Sequence, residues 1–135
     1  MIKLIDILEN KILIPRRSKE ERQKNHLITV QKKVQQYIKS GSKGDLNLKN
    51  TPITSLPDNL IVGGYLDLIN TPITSLPDNL QVGGSLGLAN TKITSLPNDL
   101  KVGGGLYLYN TPISKKYTEE EIRKMVPGVR GEIYF

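Results

Sequence analysis

Ten residues, TPITSLPDNL, occur at 51–60 and recur unchanged at 71–80, and a near copy, TKITSLPNDL, follows at 91–100. The spacing is 20 residues and it runs through more than half of a 135-residue chain. Self-similarity at a fixed period of this size predicts a solenoid. One such unit cannot bury its own apolar side, so successive units must stack and share a continuous core. The architecture is therefore constrained early, whereas the function is not, because stacked repeats present surfaces that bind many kinds of partner.

The columns of the repeat say how each unit is built. Leu46, Leu66, Leu86 and Leu106 align, as do Leu48, Leu68, Leu88 and Leu108. Alternation at a period of two is that of a strand with both leucines on one face. Thr51, Thr71, Thr91 and Thr111 follow, then Ile53, Ile73, Ile93 and Ile113 turn back into the core. Leu-Pro pairs at 56–57, 76–77 and 96–97 mark the return side, with Leu60, Leu80 and Leu100 and then Val62, Val82 and Val102 completing each apolar set. Gly-Gly pairs at 63–64, 83–84 and 103–104 make the bend into the next strand, where positive φ or close packing would penalise a side chain.

The pattern L-x-L-x-x-T-x-I-x-x-L-P-x-x-L over residues 44–113 resembles the leucine-rich repeat family, in its short Leu-Pro class. The resemblance implies an α/β solenoid: a right-handed superhelix with a parallel sheet. Two positions depart from the family pattern. Thr stands where Asn is usual after the strand, with Asn50, Asn70, Asn90 and Asn110 one position earlier, and Gly replaces the opening Leu. The Thr hydroxyls are expected to form a ladder to the backbone of the adjacent turn. The V-G-G variant is similar to small repeat proteins of phage and virome sequence, which implies a host-cytoplasmic location.

The open ends of such a stack need covering. Ser18 with Glu21 makes a capping box opening a helix over about 18–39, with Leu27, Val30, Val34, Tyr37 and Ile38 on one stripe and Gly41 as its stop. Upstream, residues 1–10 suit a short amphipathic helix and 11–14 a short strand ended by Pro15. At the other end, Thr118 caps a helix over 118–125 with Glu119, Glu120 and Glu121 in its first turn. Gly131-Glu132-Ile133-Tyr134-Phe135 then repeats the shape of residues 104–108, so a fifth strand is expected at 132–135, with Ile133 and Phe135 in the two Leu columns. The organisation is thus a basic N-terminal arm and cap (1–43), repeats (44–113) and a C-terminal cap (114–135).

Charge is distributed unevenly. The formal net charge is +6, but residues 1–43 hold eleven Lys/Arg against four Asp/Glu, while the repeats hold three against five. The basicity belongs to the arm, and Arg16, Arg17, Arg22, Lys32 and Lys33 are the candidates to meet the phosphates of a nucleic acid. No nucleic-acid-reading motif accompanies them. The second candidate surface is the concave face of the sheet. Its outward columns read Asp45, Tyr65, Ser85, Gly105, Glu132; Asn47, Asp67, Gly87, Tyr107, Tyr134; and Lys49, Ile69, Ala89, Tyr109. These columns change at every repeat while T-S-L-P hardly changes. Tyr65, Asp67, Ile69, Tyr107, Tyr109 and Tyr134 are therefore the expected partner-binding residues, Tyr bringing contact area with a polar tip.

Other function classes find little footing. His26 is the one histidine and there is no cysteine, so no transition-metal cluster, disulfide or thiol nucleophile is expected. Asp58 and Asp78 fit turns. The Gly-Gly pairs are not followed by a phosphate-loop Lys. No cofactor is implied. The N-terminus carries Asp6 and Glu9 within its apolar stretch and lacks a small-residue cleavage site, against a secretory signal. No apolar run is long enough to cross a membrane, and a cytoplasmic location is the default. The expected function is non-catalytic protein binding through the concave sheet. The alternatives are nucleic-acid binding by the arm, or a structural subunit assembled through strand edges, the outer edge of the fifth strand offering a template for a homodimer.

Overall fold

Each L-x-L stretch forms a short strand, and the strands stack in the register that the 20-residue period dictates. A computed structural model describes residues 18–135. The expectations placed on 1–10 and 11–14, and on Arg16 and Arg17, lie outside the described residues. Helix α1 (Lys19–Lys39) leads into β1 (Leu46–Asn47), β2 (Ile61–Val62), β3 (Leu66–Asp67), β4 (Gln81–Val82), β5 (Leu86–Gly87), β6 (Lys101–Val102) and β7 (Leu106–Tyr107). Helices α2 (Pro112–Lys116) and α3 (Glu119–Met125) and strand β8 (Ile133–Tyr134) follow. The molecule is a parallel-strand β-solenoid of about three turns, with a helix at its N-terminal end and helix plus strand at its C-terminal end.

The main sheet has five strands in the order β1-β3-β5-β7-β8. Leu46 pairs with Leu66, Leu66 with Leu86, Leu86 with Leu106, and Leu106 with Ile133. The last step keeps register although α2 and α3 stretch that turn. A second sheet, β2-β4-β6, stands on the neighbouring side and is extended by a bridge from Val102 to Val129. It was not expected as a sheet. Its sequence signal is the column of valines at 62, 82 and 102, all buried beside exposed Ile61, Gln81 and Lys101. Between the sheets lies one core of the Leu, Ile and Val columns, in which Leu66, Leu86 and Leu106 are wholly excluded from solvent.

The bends are explained by packing, not by φ. A Cβ built on Gly83 or Gly103 would run into the carbonyl oxygen of Gly63 or Gly83 in the preceding turn. Positive φ falls instead on asparagine: Asn50, Asn70, Asn90 and Asn110 adopt 59°, 60°, 57° and 59°. Asparagine tolerates this region better than other residues with a side chain. These asparagines also supply the cross-turn ladder, since the Asn70 Nδ2 donates to Asn50 Oδ1 at 2.6 Å and the Asn110 Nδ2 to Asn90 Oδ1 at 2.7 Å. The expectation that threonine would bridge turns is corrected. Thr71 and Thr91 hydroxyls donate to the Leu68 and Leu88 carbonyls of their own turn, at 2.8 and 2.7 Å.

Both ends are closed by helices whose starts match the sequence. Ser18 and Glu21 form the reciprocal capping box of α1, and Val30 and Val34 are buried against the first repeat. Ile38, expected on the same stripe, is 37% exposed. Gly41, at φ +100°, ends the helix. At the far end Thr118 and Glu121 cap α3. Helix α2 was not expected. Its TPI start matches the repeats at 51–53 and 71–73, but Ser114 replaces the next Thr and no proline follows at the Leu-Pro position, so nothing stops the chain from turning helical. Phe135 also departs from expectation. Ile133 takes its place in the first Leu column at 6% exposure, but Phe135 is 44% exposed because no described strand covers the outer side of β8.

Candidate functional site

Strands present alternate residues to opposite faces, so the residues between the Leu columns lie on the outer face of the main sheet. Tyr65 precedes β3, Asp67 ends it and Ile69 follows it. Tyr107 ends β7, Tyr109 follows it, and Tyr134 ends β8. The structure brings the tyrosines together. The Tyr107 and Tyr134 rings stack with centroids 4.6 Å apart and planes 11° from parallel. Tyr109 meets Tyr107 edge-on, at 6.2 Å and 81°. Both are favoured aromatic arrangements.

The small residues of the outward columns make this possible. A Cβ on Gly87 would lie 2.5 Å from the Tyr65 hydroxyl oxygen and 3.1 Å from the Ile69 side chain. A Cβ on Gly105 would lie 3.0 Å from the Tyr134 ring and 3.6 Å from the Tyr107 ring. Gly87 and Gly105 are therefore landing places on which neighbouring rings lie close to the backbone. Gly87 and Ala89 are buried under this cover. Tyr65, Asp67, Ile69 and Tyr107 are half-buried, whereas Tyr109 and Tyr134 are each 43% exposed. The patch is thus a fitted layer with its accessible rings toward β8. Sequence reasoning found its tyrosines but missed its glycines, whose signal was their position in strand columns rather than bends.

Electrostatics on this face are acidic. Asp45 Oδ1 accepts from the Tyr65 N–H at 2.7 Å, and Asp67 Oδ1 accepts from the Ile69 N–H at 3.0 Å. Neither these carboxylates nor Glu132 has an ion-pair partner among the described residues, where the salt bridges are Arg123–Glu119 and Lys124–Glu120 on α3. The Tyr65 phenol is pushed up to about 12, by burial first and then by the negative charge of Asp67, with smaller contributions from Tyr107 and Tyr109. Burial and a neighbouring anion both disfavour the phenolate.

The basic candidates sit elsewhere, on α1. Arg22 and Lys32 are exposed. Lys33 is occupied: its Nζ donates to the Asn47 carbonyl of β1 at 2.6 Å. Tyr37 of the same helix donates to the Gly44 carbonyl at 2.7 Å and accepts from the Gly63 N–H at 3.2 Å. These contacts seal the β1 edge of the main sheet. His26 is exposed on α1, and no group of three or more His, Cys, Asp or Glu that could hold a metal ion occurs among the described residues. No described helix is long and apolar enough to cross a membrane. In comparisons with known proteins, no family model, no curated protein and no solved structure matches the chain.

Proposed function

We propose that the chain is a non-catalytic protein-binding module of the leucine-rich-repeat kind, and that the outer face of its main sheet is the binding surface. The observation that carries this reading is the ring cluster of Tyr107, Tyr109 and Tyr134, with Tyr65 laid over Gly87 on the same face, built across strands on two glycines that leave room for it. Rings that only filled a core would be buried, yet Tyr109 and Tyr134 keep 43% of their surface open. Preordered aromatic groups with polar tips contact a partner with little loss of side-chain freedom, and tyrosine dominates many protein interfaces for that reason. The scaffold around them is rigid, its turns tied by asparagine ladders and its core shared between units. The leucine-rich-repeat assignment is supported by the L-x-L strands in one parallel sheet and by the Leu-Pro return segments packing on the same core.

Affinity capture with the wild type and a Tyr109→Ala/Tyr134→Ala variant tests the reading. Partners retained by the first and lost by the second, with both proteins folded at the capture temperature, support it. Identical captured sets, or a variant that unfolds, sink it.

A further inference from the structure

The acids and rings of the outer sheet face are ordered in a way that narrows the partner, on the reading that this face is the binding surface. Tyr65 and Asp67 are two residues apart and share a face, as do Glu132 and Tyr134. Each end of the tyrosine layer therefore carries one carboxylate beside one ring, and no cation from the described residues pairs with either carboxylate. Asp67 Oδ1 holds the Ile69 N–H, which fixes the carboxylate, while Oδ2 accepts from no donor among the described residues. Lys49 is the single base among the outward columns, against Asp45, Asp67 and Glu132. Such a face repels phosphates and other anions. It attracts a cation, which gains from the ring faces and the carboxylate together.

The spacing adds a second constraint. Asp67 lies on β3 and Glu132 leads into β8, three strand steps away in the order β3-β5-β7-β8. The register sets Asp67 level with Tyr134 and Tyr65 level with Glu132, so at about 4.8 Å per step the centres of the two acid–ring pairs are roughly 14 Å apart across the sheet. An extended peptide advances about 3.4 Å per residue, so side chains four residues apart match that span and point the same way.

We infer that the outer sheet face receives an extended, cationic polypeptide segment with two Arg or Lys residues four positions apart. One cation lies at Tyr65 and Asp67, and the other lies over Tyr134 beside Glu132. The residues between them cross the Tyr107 and Tyr109 rings.

Nuclear magnetic resonance titration of the full chain tests this with three capped probes: Gly-Arg-Gly-Ser-Gly-Arg-Gly, the same peptide with citrulline for arginine, and the isomer Gly-Arg-Arg-Gly-Ser-Gly-Gly. The arginine peptide is expected to shift the ring signals of Tyr65, Tyr109 and Tyr134 together. Its affinity should fall by about threefold in Asp67→Asn and again in Glu132→Gln, and the adjacent-arginine isomer should bind more weakly. Equal shifts with the citrulline peptide would overturn the cationic inference while leaving the broader protein-binding reading standing. Arginine-peptide shifts confined to the exposed acids of α3, no shifts at all, or equal shifts from spermidine would also overturn it. Peptides that bind a Tyr109→Ala/Tyr134→Ala variant as tightly as the wild type, with no shift at any ring in the wild type, would instead remove the broader reading.

Discussion

Tyr107 and Tyr134 stack face to face although 27 residues separate them in the chain (134 minus 107), their centroids 4.6 Å apart. They meet because β8 joins the sheet in the register Tyr107↔Tyr134 after two intervening helices. Arg123 holds this arrangement from the side: its Nη2 donates to the Gly131 carbonyl at 3.0 Å, tying α3 to the approach of β8. The tyrosine layer and the stretched last turn are one construction.

The exposed rings and the core beneath them should separate cleanly in denaturation experiments. Tyr109→Ala and Tyr134→Ala remove partly solvated rings and are each expected to cost about 1–2 kcal/mol, the aromatic pair plus the part of the ring that is buried. Leu108→Ala, at a wholly buried position, is expected to cost about 2–5 kcal/mol. Urea unfolding of the three variants gives the comparison, and a tyrosine variant as damaging as Leu108→Ala would place the rings in the core.

Two kinds of glycine predict two kinds of defect. At Gly103 an added methyl meets the backbone of the preceding turn, so Gly103→Ala is expected to lower stability by about 1–3 kcal/mol, the range for overpacking. At Gly87 it meets the hydroxyl end of Tyr65, which can swing away, so Gly87→Ala should keep most of the stability and displace the ring. Thermal melting reports the first effect and the Tyr65 ring resonances report the second.

Tyr65 gives the protein a pH signature. The folded chain holds this phenol protonated up to about 12, whereas an unfolded tyrosine titrates near 10.0. Below the unfolded value both states are protonated and the contribution is fully present. Above it the unfolded state loses its proton first, so stability declines as pH rises from about 10 through about 12. Tyr65→Phe should flatten the decline in that window, measured by urea midpoints against pH. Asp67→Asn should move the Tyr65 titration down toward the ordinary value.

The asparagine columns carry both strain and bonding. Asn70→Gly removes its ladder bond to Asn50 while keeping the positive φ, and Asn70→Ala removes the bond and adds a left-handed backbone cost of about 1–2 kcal/mol. Alanine is therefore expected to be the more damaging of the two in chemical denaturation.

Much of the fold was legible because periodicity is a strong signal. The Leu columns predicted the pairing of Leu46 through Ile133, and Ser18 and Thr118 announced their helices. Phe135 was misplaced because burial of its column depends on a covering neighbour, which sequence alignment within the repeat does not supply. The asparagine ladder was not legible because Thr and Asn are adjacent in every repeat and both can hydrogen-bond the backbone, and only the left-handed turn at Asn decides between them. Helix α2 depended on an absent proline, which is easily overlooked. For the site, the tyrosines stood out by chemistry. Their assembly did not, because it needs the knowledge that Gly87 and Gly105 sit beneath rings from neighbouring strands.

A random-peptide display selection, run in parallel on the wild type and on a Tyr109→Ala/Tyr134→Ala variant that is folded at the selection temperature, tests most directly whether the outer sheet face binds protein. The account predicts peptides enriched on the wild type whose affinity for the variant is lower by about tenfold or more, the loss expected when central aromatic contacts are removed. Enrichment of the same peptides on both proteins, with equal affinity, would contradict it.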